Sequence, residues 1–533
     1  MQLPNNAQIN SLTVGKNAKL VLNDPNIGFY IYQLAQPLQP TDSIELSYNL
    51  HYGEKGFPNN GGTTSIVENG TFVNSSLLPS IGYSNNGELQ DPDERRKAKL
   101  PKRANDMPPA TDSTNLARNY ISSDSDWIRF EATLSTSPDQ IANAPGYLQR
   151  EWTENGRKYF HYKMDRPILN FYSFLSARYQ VLRDKWNDIN IEIYYHPQHT
   201  YNIDRMAAAV KKTLDYCSKN FSPYQHKQVR IIEFPRYASF AQSFPNTIPF
   251  SESIGFILDI DPETNIDFAT YVTAHEVAHQ WWAHQVIGAN VEGATITSET
   301  MAQYSAIMVM EHEYGKGMIE NFLKYELDSY LRGRARETKA ENPLMYNQNQ
   351  PYIHYRKGSL AMYALKDYIG EDKLNAALKS YVQKVAYQEP PYTTSIEFVD
   401  YLRKATPDSL QYLIKDLFET ITLYGNETKK ATYKANANNT FTVSMDIAAD
   451  KFRSDSLGVE TKVPFKDWID VGVYAKGKND KDTLIYLQKH LISKSQQTIL
   501  VTVTQQPTKC GIDPLHILID RDSDDNTKTV SKE

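Results

Sequence analysis

The sequence predicts a multidomain α+β protein: an antiparallel β domain over residues 1–198, a helix-rich domain over 199–428 and a small β domain over 429–533. Three observations predict it. Apolar and polar residues alternate in short runs up to about residue 195 and again after about 430, the period of a strand with one buried face. Between those stretches the apolar spacing becomes three and four residues, the period of a helix. A chain of 533 residues is also too long for one core, which sets an expectation of roughly two to four domains.

In the first region the strands are "GFYIYQLAQPL", "SIELSYNLHYG" and "WIRFEATLST", parted by Asn, Gly, Pro and Ser clusters. Residues 84–118 are polar and proline-dotted and read as an excursion, with "RRKAKLPKR" as a solvated surface. The helical region opens with "RMAAAVKKTLDYCSKNF". It continues through "FATYVTAHEVAHQWWAHQV", "SETMAQYSAIMVMEHEYG", "KGSLAMYALKDYIG", "KLNAALKSYVQKV" and "SLQYLIKDLFETI", with "IIEFP" and "SIGFILDI" as interrupting strands. Alternation returns in "NTFTVSMDIAAD", "WIDVGVYAKG", "DTLIYLQKH" and "QTILVTVTQQP".

Composition narrows the function. A hydrophobic share of 40% and an aromatic share of 12% are those of a folded globular protein, and a net charge of −6 gives no footprint for nucleic acid. Cys217 and Cys510 lie too far apart in sequence for a metal knuckle and read as two unpaired, buried thiols. No run approaches the ~18 apolar residues of a membrane span, and "MQLPNNAQIN" lacks the regions of a signal peptide, so the chain as written reads as soluble.

The chemistry concentrates in "TAHEVAHQWWAHQV", residues 273–286, which holds three of the twelve histidines. His275 and His279 are four apart, so on a helix both imidazoles leave one face and can meet one ion. Glu276 is rotated about 100° from His275, placed to hydrogen-bond a water on that ion without being a ligand. A catalytic zinc needs three protein ligands and an open fourth position, so a third ligand is required. Glu299, in the first turn of the next helix behind Ser298 or Thr297 as cap, is the carboxylate that fits; Glu292, Glu311 and Glu313 are the alternatives. His284 reads as a supporting or core histidine, and Trp281 and Trp282 as packing.

"HEVAHQWW" followed by "SETMAQYSA" resembles the zinc aminopeptidases of the aminopeptidase N family. The resemblance implies one zinc ion on His275, His279 and Glu299, with Glu276 as general base. This chain has one residue more between His279 and Glu299 than the family pattern, and Thr300 and Ala283 stand where the family has glycine. "YIHYRKGSLAMYAL" resembles the family's "YxKG" segment, which assigns to Tyr355 the hydrogen bond to a tetrahedral oxyanion and leaves Tyr352 as the neighbour to exclude. "NTIPFSESIGFI" takes the place of the "GxMEN" strand, so Glu252 would receive the substrate's α-ammonium, although the Gly, Met and Asn of that motif are absent.

The same resemblance implies a saddle-like N-terminal β domain, a thermolysin-like catalytic domain and a sandwich-like C-terminal β domain. It implies a peptide substrate. More narrowly, the motif is similar to bacterial modules fused behind ABC-type permeases, which implies an extracytoplasmic or periplasmic place, with the cytoplasm as the alternative. A zinc endopeptidase on the same fold and a non-catalytic peptide-binding module of a transporter assembly are the competing functions.

Overall fold

The alternating and helical periods of the sequence sort into a β-rich N-terminal region, a helical middle and a C-terminal β region. The structure is a computed structural model that describes residues 1–3, 7–26, 28–53, 65–82, 88–89, 91–101, 107–122, 124–261, 266–477 and 480–533. Parts of the 84–118 excursion and the end of "RRKAKLPKR" therefore lie outside the described residues. Within the described part of that basic run, Arg95 departs from a solvated surface. It is buried, donating to the carbonyls of Leu89 at 2.8 Å and Pro101 at 3.0 Å, because its guanidinium closes the loop around the short helix Pro92–Lys97.

The first region is built from small antiparallel units, among them Gln8–Val14 with Leu46–His51 and the three strands Glu131–Thr136, Arg157–Lys163 and Tyr147–Glu154. The strands Gln180–Trp186 and Ile189–Tyr195 continue into a four-stranded sheet with Gln228–Phe234 and Thr247–Ser251, the last three mutually parallel. A parallel neighbour requires a crossover, and helix Ile203–Asn220 supplies it. Its Met206, Val210, Leu214 and Cys217 share a core with Ile191, Ile193, Val229 and Ile248 of that sheet. Backbone pairing thus runs across residue 198.

"SIGFILDI" is not a strand. Strand Thr247–Ser251 ends there because the Ser251 hydroxyl accepts from the Ser253 amide and turns the chain into the 3-10 segment Glu252–Ile254. The same core then receives the helices Phe268–Ala278 (the motif helix) and Glu299–Tyr314 (the ligand helix). Residues Thr300 to Met310 of the ligand helix are all buried, the condition of a helix packed on every side.

Strand Ile421–Ala435 opens the last region, before residue 429. Two sheets, one centred on Phe441–Ser454 and one on Asp467–Lys476, face each other over a second core that includes Met445, Ile447, Val471, Val473 and Ile512. Cys217 and Cys510 are buried and unpaired. Among the described residues no helix is long and apolar enough to cross a membrane.

Buried ions tie this region to the helices. Lys451 contacts Asp416, on the last helical turn, and lies 2.7 Å from Asp467 Oδ2, and all three side chains are at most 5% exposed. Removing the cation would leave the buried Asp467 without a cation while Asp416 keeps Arg453, so Lys451→Met is expected to cost about 3 kcal/mol in denaturant unfolding, whereas a surface cation such as Lys97 should cost almost nothing.

Candidate metal centre

Two buried helices cross to make the site. Asp267 caps the motif helix, its carboxylate accepting from the Thr270 amide at 2.9 Å and hydroxyl at 2.7 Å. Tyr271 hydrogen-bonds to Gln303, and Trp282 Nε1 donates to Ser305 Oγ at 3.1 Å, so the two helices are pinned on both sides of the histidines. The motif helix ends at Ala278 with His279 as its C-cap, earlier than the helical reading of "HEVAHQWWAHQV". The reason is local. The chain wraps so that the Trp282 carbonyl faces His279 Nδ1 at 2.9 Å, and Ala283 takes a φ of 147° to complete the turn.

That carbonyl can only accept, so Nδ1 of His279 carries the proton and Nε2 presents its lone pair. His279 Nε2 lies 3.0 Å from His275 Nε2, and Glu299 Oε2 lies 3.4 Å and 3.5 Å from them. Glu299 Oε2 has no hydrogen-bond partner in the interior. A tetrahedral divalent ion bound at about 2.0–2.1 Å holds its donors about 3.3–3.4 Å apart. The three atoms sit at nearly that spacing, so the donor set fits a metal with one position left open.

The three groups are electrostatically coupled, and an ion binding here would displace a proton from His279 Nε2. Burial opposes charge on Glu299, but His279 and His275 hold its carboxyl well below the usual range. Burial likewise opposes charge on His279, and the Glu299 carboxylate outweighs it and lifts the imidazole to about 9. Burial raises the Glu276 carboxyl to about 7, with Glu299 adding to the effect, so one carboxyl group stays charged while its neighbour is poised to exchange a proton near neutral pH.

Tyr355 lies in the π-helical turn Tyr352–Lys357, its ring centroid 5.9 Å from that of His275. Burial and the Glu299 charge keep its phenol protonated far above the ordinary value. The turn is anchored by Tyr352, which donates to Glu337 at 3.1 Å, and by Arg356, which donates to Glu326 at 2.8 Å. Tyr352 therefore belongs to the anchorage and lies off the site. Thr300 contributes too: its hydroxyl donates to the His354 carbonyl at 2.7 Å, stitching the ligand helix to the turn that carries Tyr355.

Neither Thr297 nor Ser298 caps the ligand helix through its side chain. The Thr297 hydroxyl bonds back to Ala294 O at 2.9 Å, because a 3-10 turn, Ala294–Ile296, leads straight into the helix. The alternative ligands are engaged elsewhere: Glu292 with Ala110 and Gln348, Glu311 with Lys366, Glu313 with Lys212. His284 Nε2 donates to Ser243 O, 2.9 Å away, and burial lowers the imidazole to about 4, a neutral core histidine. Trp281 and Trp282 are fully buried packing residues.

Glu252 is not in the histidine cluster. It starts the 3-10 turn that packs on the motif helix, and its carboxylate faces His199 Nδ1 at 3.8 Å and accepts from the Arg236 amide at 3.2 Å. His199 is hydrogen-bonded directly to the fully buried Glu233. His199, Glu233 and Glu252 thus form a second His/Glu group, separate from the His275–His279–Glu299 cluster. Two residues near the candidate ligands escaped the sequence: Tyr120, hydrogen-bonded to Ser298, and His354, whose ring lies 4.4 Å from that of Tyr355. Tyr120 sits in no motif, and His354 is marked only by adjacency to Tyr355.

Residues 206–420 match the Peptidase family M1 domain. Over 211 residues the chain is 25% identical to human endoplasmic reticulum aminopeptidase 2, covering 38% of this chain and 22% of that protein. It is 25% identical over 185 residues to probable aminopeptidase 1 of Sulfurisphaera tokodaii, covering 33% and 23%. With leucyl aminopeptidase of Saccharolobus solfataricus it shares 22% identity over 259 residues, covering 46% and 32%. The matched stretches thus span a third or less of the length of these relatives.

Ala283 occupies a backbone region that favours glycine, a strain of about 1–3 kcal/mol against the roughly 0.5–1 kcal/mol entropic cost of glycine. Ala283→Gly is expected to stabilise the protein by about 1 kcal/mol, read as a higher denaturant midpoint. A lower midpoint would mean that the turn holds Ala283 without strain.

Proposed function

We propose that this chain is a zinc-dependent aminopeptidase that hydrolyses the N-terminal peptide bond of peptides. The observation that carries the reading is the set of three donor atoms at tetrahedral spacing, with Glu276 and Tyr355 beside them. His275, His279 and Glu299 would hold the ion. Bound there, zinc supplies a Lewis acid and lowers the pKa of a water molecule to roughly 7.

Glu276 takes the proton from the attacking water and returns it to the leaving amine, a task for which a carboxyl near neutral pH is suited. The Tyr355 phenol, kept protonated by burial, donates a hydrogen bond where the carbonyl oxygen gains charge. Glu252 receives the substrate's α-ammonium, which makes the enzyme exo-acting. The likeness to M1 peptidases over residues 206–420 supports the reaction class, and the names of the relatives support the aminopeptidase form.

Within this reading the three regions, divided at 198 and 428, are the saddle-like, thermolysin-like and sandwich-like domains of the family. The likeness of the motif to permease-fused modules supports an extracytoplasmic location. One observation favours the endopeptidase alternative: Glu252 faces His199 and Arg236, outside the metal cluster.

Glu276→Gln is expected to lower kcat/KM by about 10²–10⁴ while zinc content, measured by elemental analysis, stays at one per chain. Tyr355→Phe should lower kcat by about 10²–10³ with little change in KM. A free aminoacyl anilide should be cleaved and its N-acetylated form spared; equal rates for the two would remove the exopeptidase assignment and leave the endopeptidase.

A further inference from the structure

The link from His279 to Glu299 is gripped by a strap from the N-terminal region. Asn119 bridges Ala289 in antiparallel fashion, and the amides of Asn290 and Glu292 donate to Arg118 O and Pro108 O, each at 2.8 Å. The Tyr120 amide donates to Gly288 O at 3.2 Å, and the Ala110 amide to the Glu292 carboxylate at 3.1 Å. Ala110, Leu169, Ile287, Ala289 and Val291 close a small apolar core under the contact. This is the link that carries the residue in excess of the family spacing.

The strap ends on Tyr120, whose hydroxyl donates to Ser298 Oγ. Ser298 immediately precedes Glu299, and the ligand helix starts without a side-chain cap. Ser298 Oγ in turn donates to Thr295 O at 3.5 Å, at the limit of a hydrogen bond. Glu299 reaches the histidines through a flexible side chain, and its Oε2 has no other partner. The direction of the third donor therefore depends on where the backbone of Ser298 is fixed, together with the Tyr355 phenol that hydrogen-bonds the Glu299 carboxylate.

We propose that Tyr120 is a positioning residue of the metal centre: delivered by the strap, it fixes Ser298 and so aims the Glu299 carboxylate at His275 and His279. The proposal rests on the metal-binding reading of those three residues. Tyr120 acts through Ser298, so its contribution is to metal retention ahead of the chemical step, and the N-terminal region becomes part of the site.

The test compares Zn²⁺ affinity of the metal-free full chain by competition with a chromophoric chelator. Tyr120→Phe and Ser298→Ala are each expected to weaken Zn²⁺ binding about tenfold or more, the range for lost outer partners of metal ligands. The double variant should lose no more than either single one, since both break one contact. Thermal unfolding of the metal-free variants reports folding, and Ser298→Ala carries the same expectation should Tyr120→Phe prove unstable. Unchanged affinity in a folded Tyr120→Phe, or additive losses, would overturn the proposal alone. Unchanged affinity with a lower kcat at full zinc occupancy would also overturn it, making Tyr120 a catalytic residue. A wild-type chain that takes up no Zn²⁺ would overturn the metal-site reading together with it.

Discussion

The structure turns on one constraint: a carboxylate, Glu299, with a side chain 23% exposed and its Oε2 buried, must stay ionised within 3.5 Å of two imidazoles that leave a neighbouring helix. An isolated charge there would be prohibitive, and it is tolerated because His275 and His279 face it and a metal can share it. Everything nearby serves that meeting of two helices. Asp267 fixes the start of one, the Tyr271–Gln303 and Trp282–Ser305 contacts fix their separation, and the Trp282 carbonyl fixes the tautomer of His279.

The part of this arrangement that was legible in the sequence is the part encoded by local spacing. A four-residue step places His275 and His279 on one helical face whatever the rest of the chain does, and Glu276 follows from the same geometry. Glu299 was legible as a carboxylate at the start of the next helix, because a third donor had to come from somewhere near. The end of the motif helix was not, since "HQWWAHQV" keeps a helical apolar rhythm while the capping carbonyl of Trp282 and the φ of Ala283 decide otherwise. Tyr120 was invisible because its partner lies 178 residues away. Long-range pairing leaves no periodic trace.

Ala283 and Thr300 meet their surroundings in different ways. At Ala283 the backbone keeps a glycine-like angle and carries the strain. At Thr300 the side chain is used: its hydroxyl reaches the His354 carbonyl, and it fills the space next to Gly358, where any Cβ would come within 2.4 Å of Thr300 Oγ1. The Thr300 side chain and the bare Gly358 are therefore complementary across the helix contact. The turn that carries Tyr355 gains an anchor on the ligand helix.

The change of period near residue 198 marks a change of element more clearly than a change of body. Strand Ile189–Tyr195 is hydrogen-bonded to Gln228–Phe234, and the crossover helix between them packs on both. A cut at 198 would strip that strand from the sheet and expose an edge of buried residues, an invitation to mispairing. It would also remove the strap that grips the link between the motif and ligand helices. The candidate metal ligands come from residues 275–299, but the geometry that brings them together draws on strands and contacts from well before residue 198.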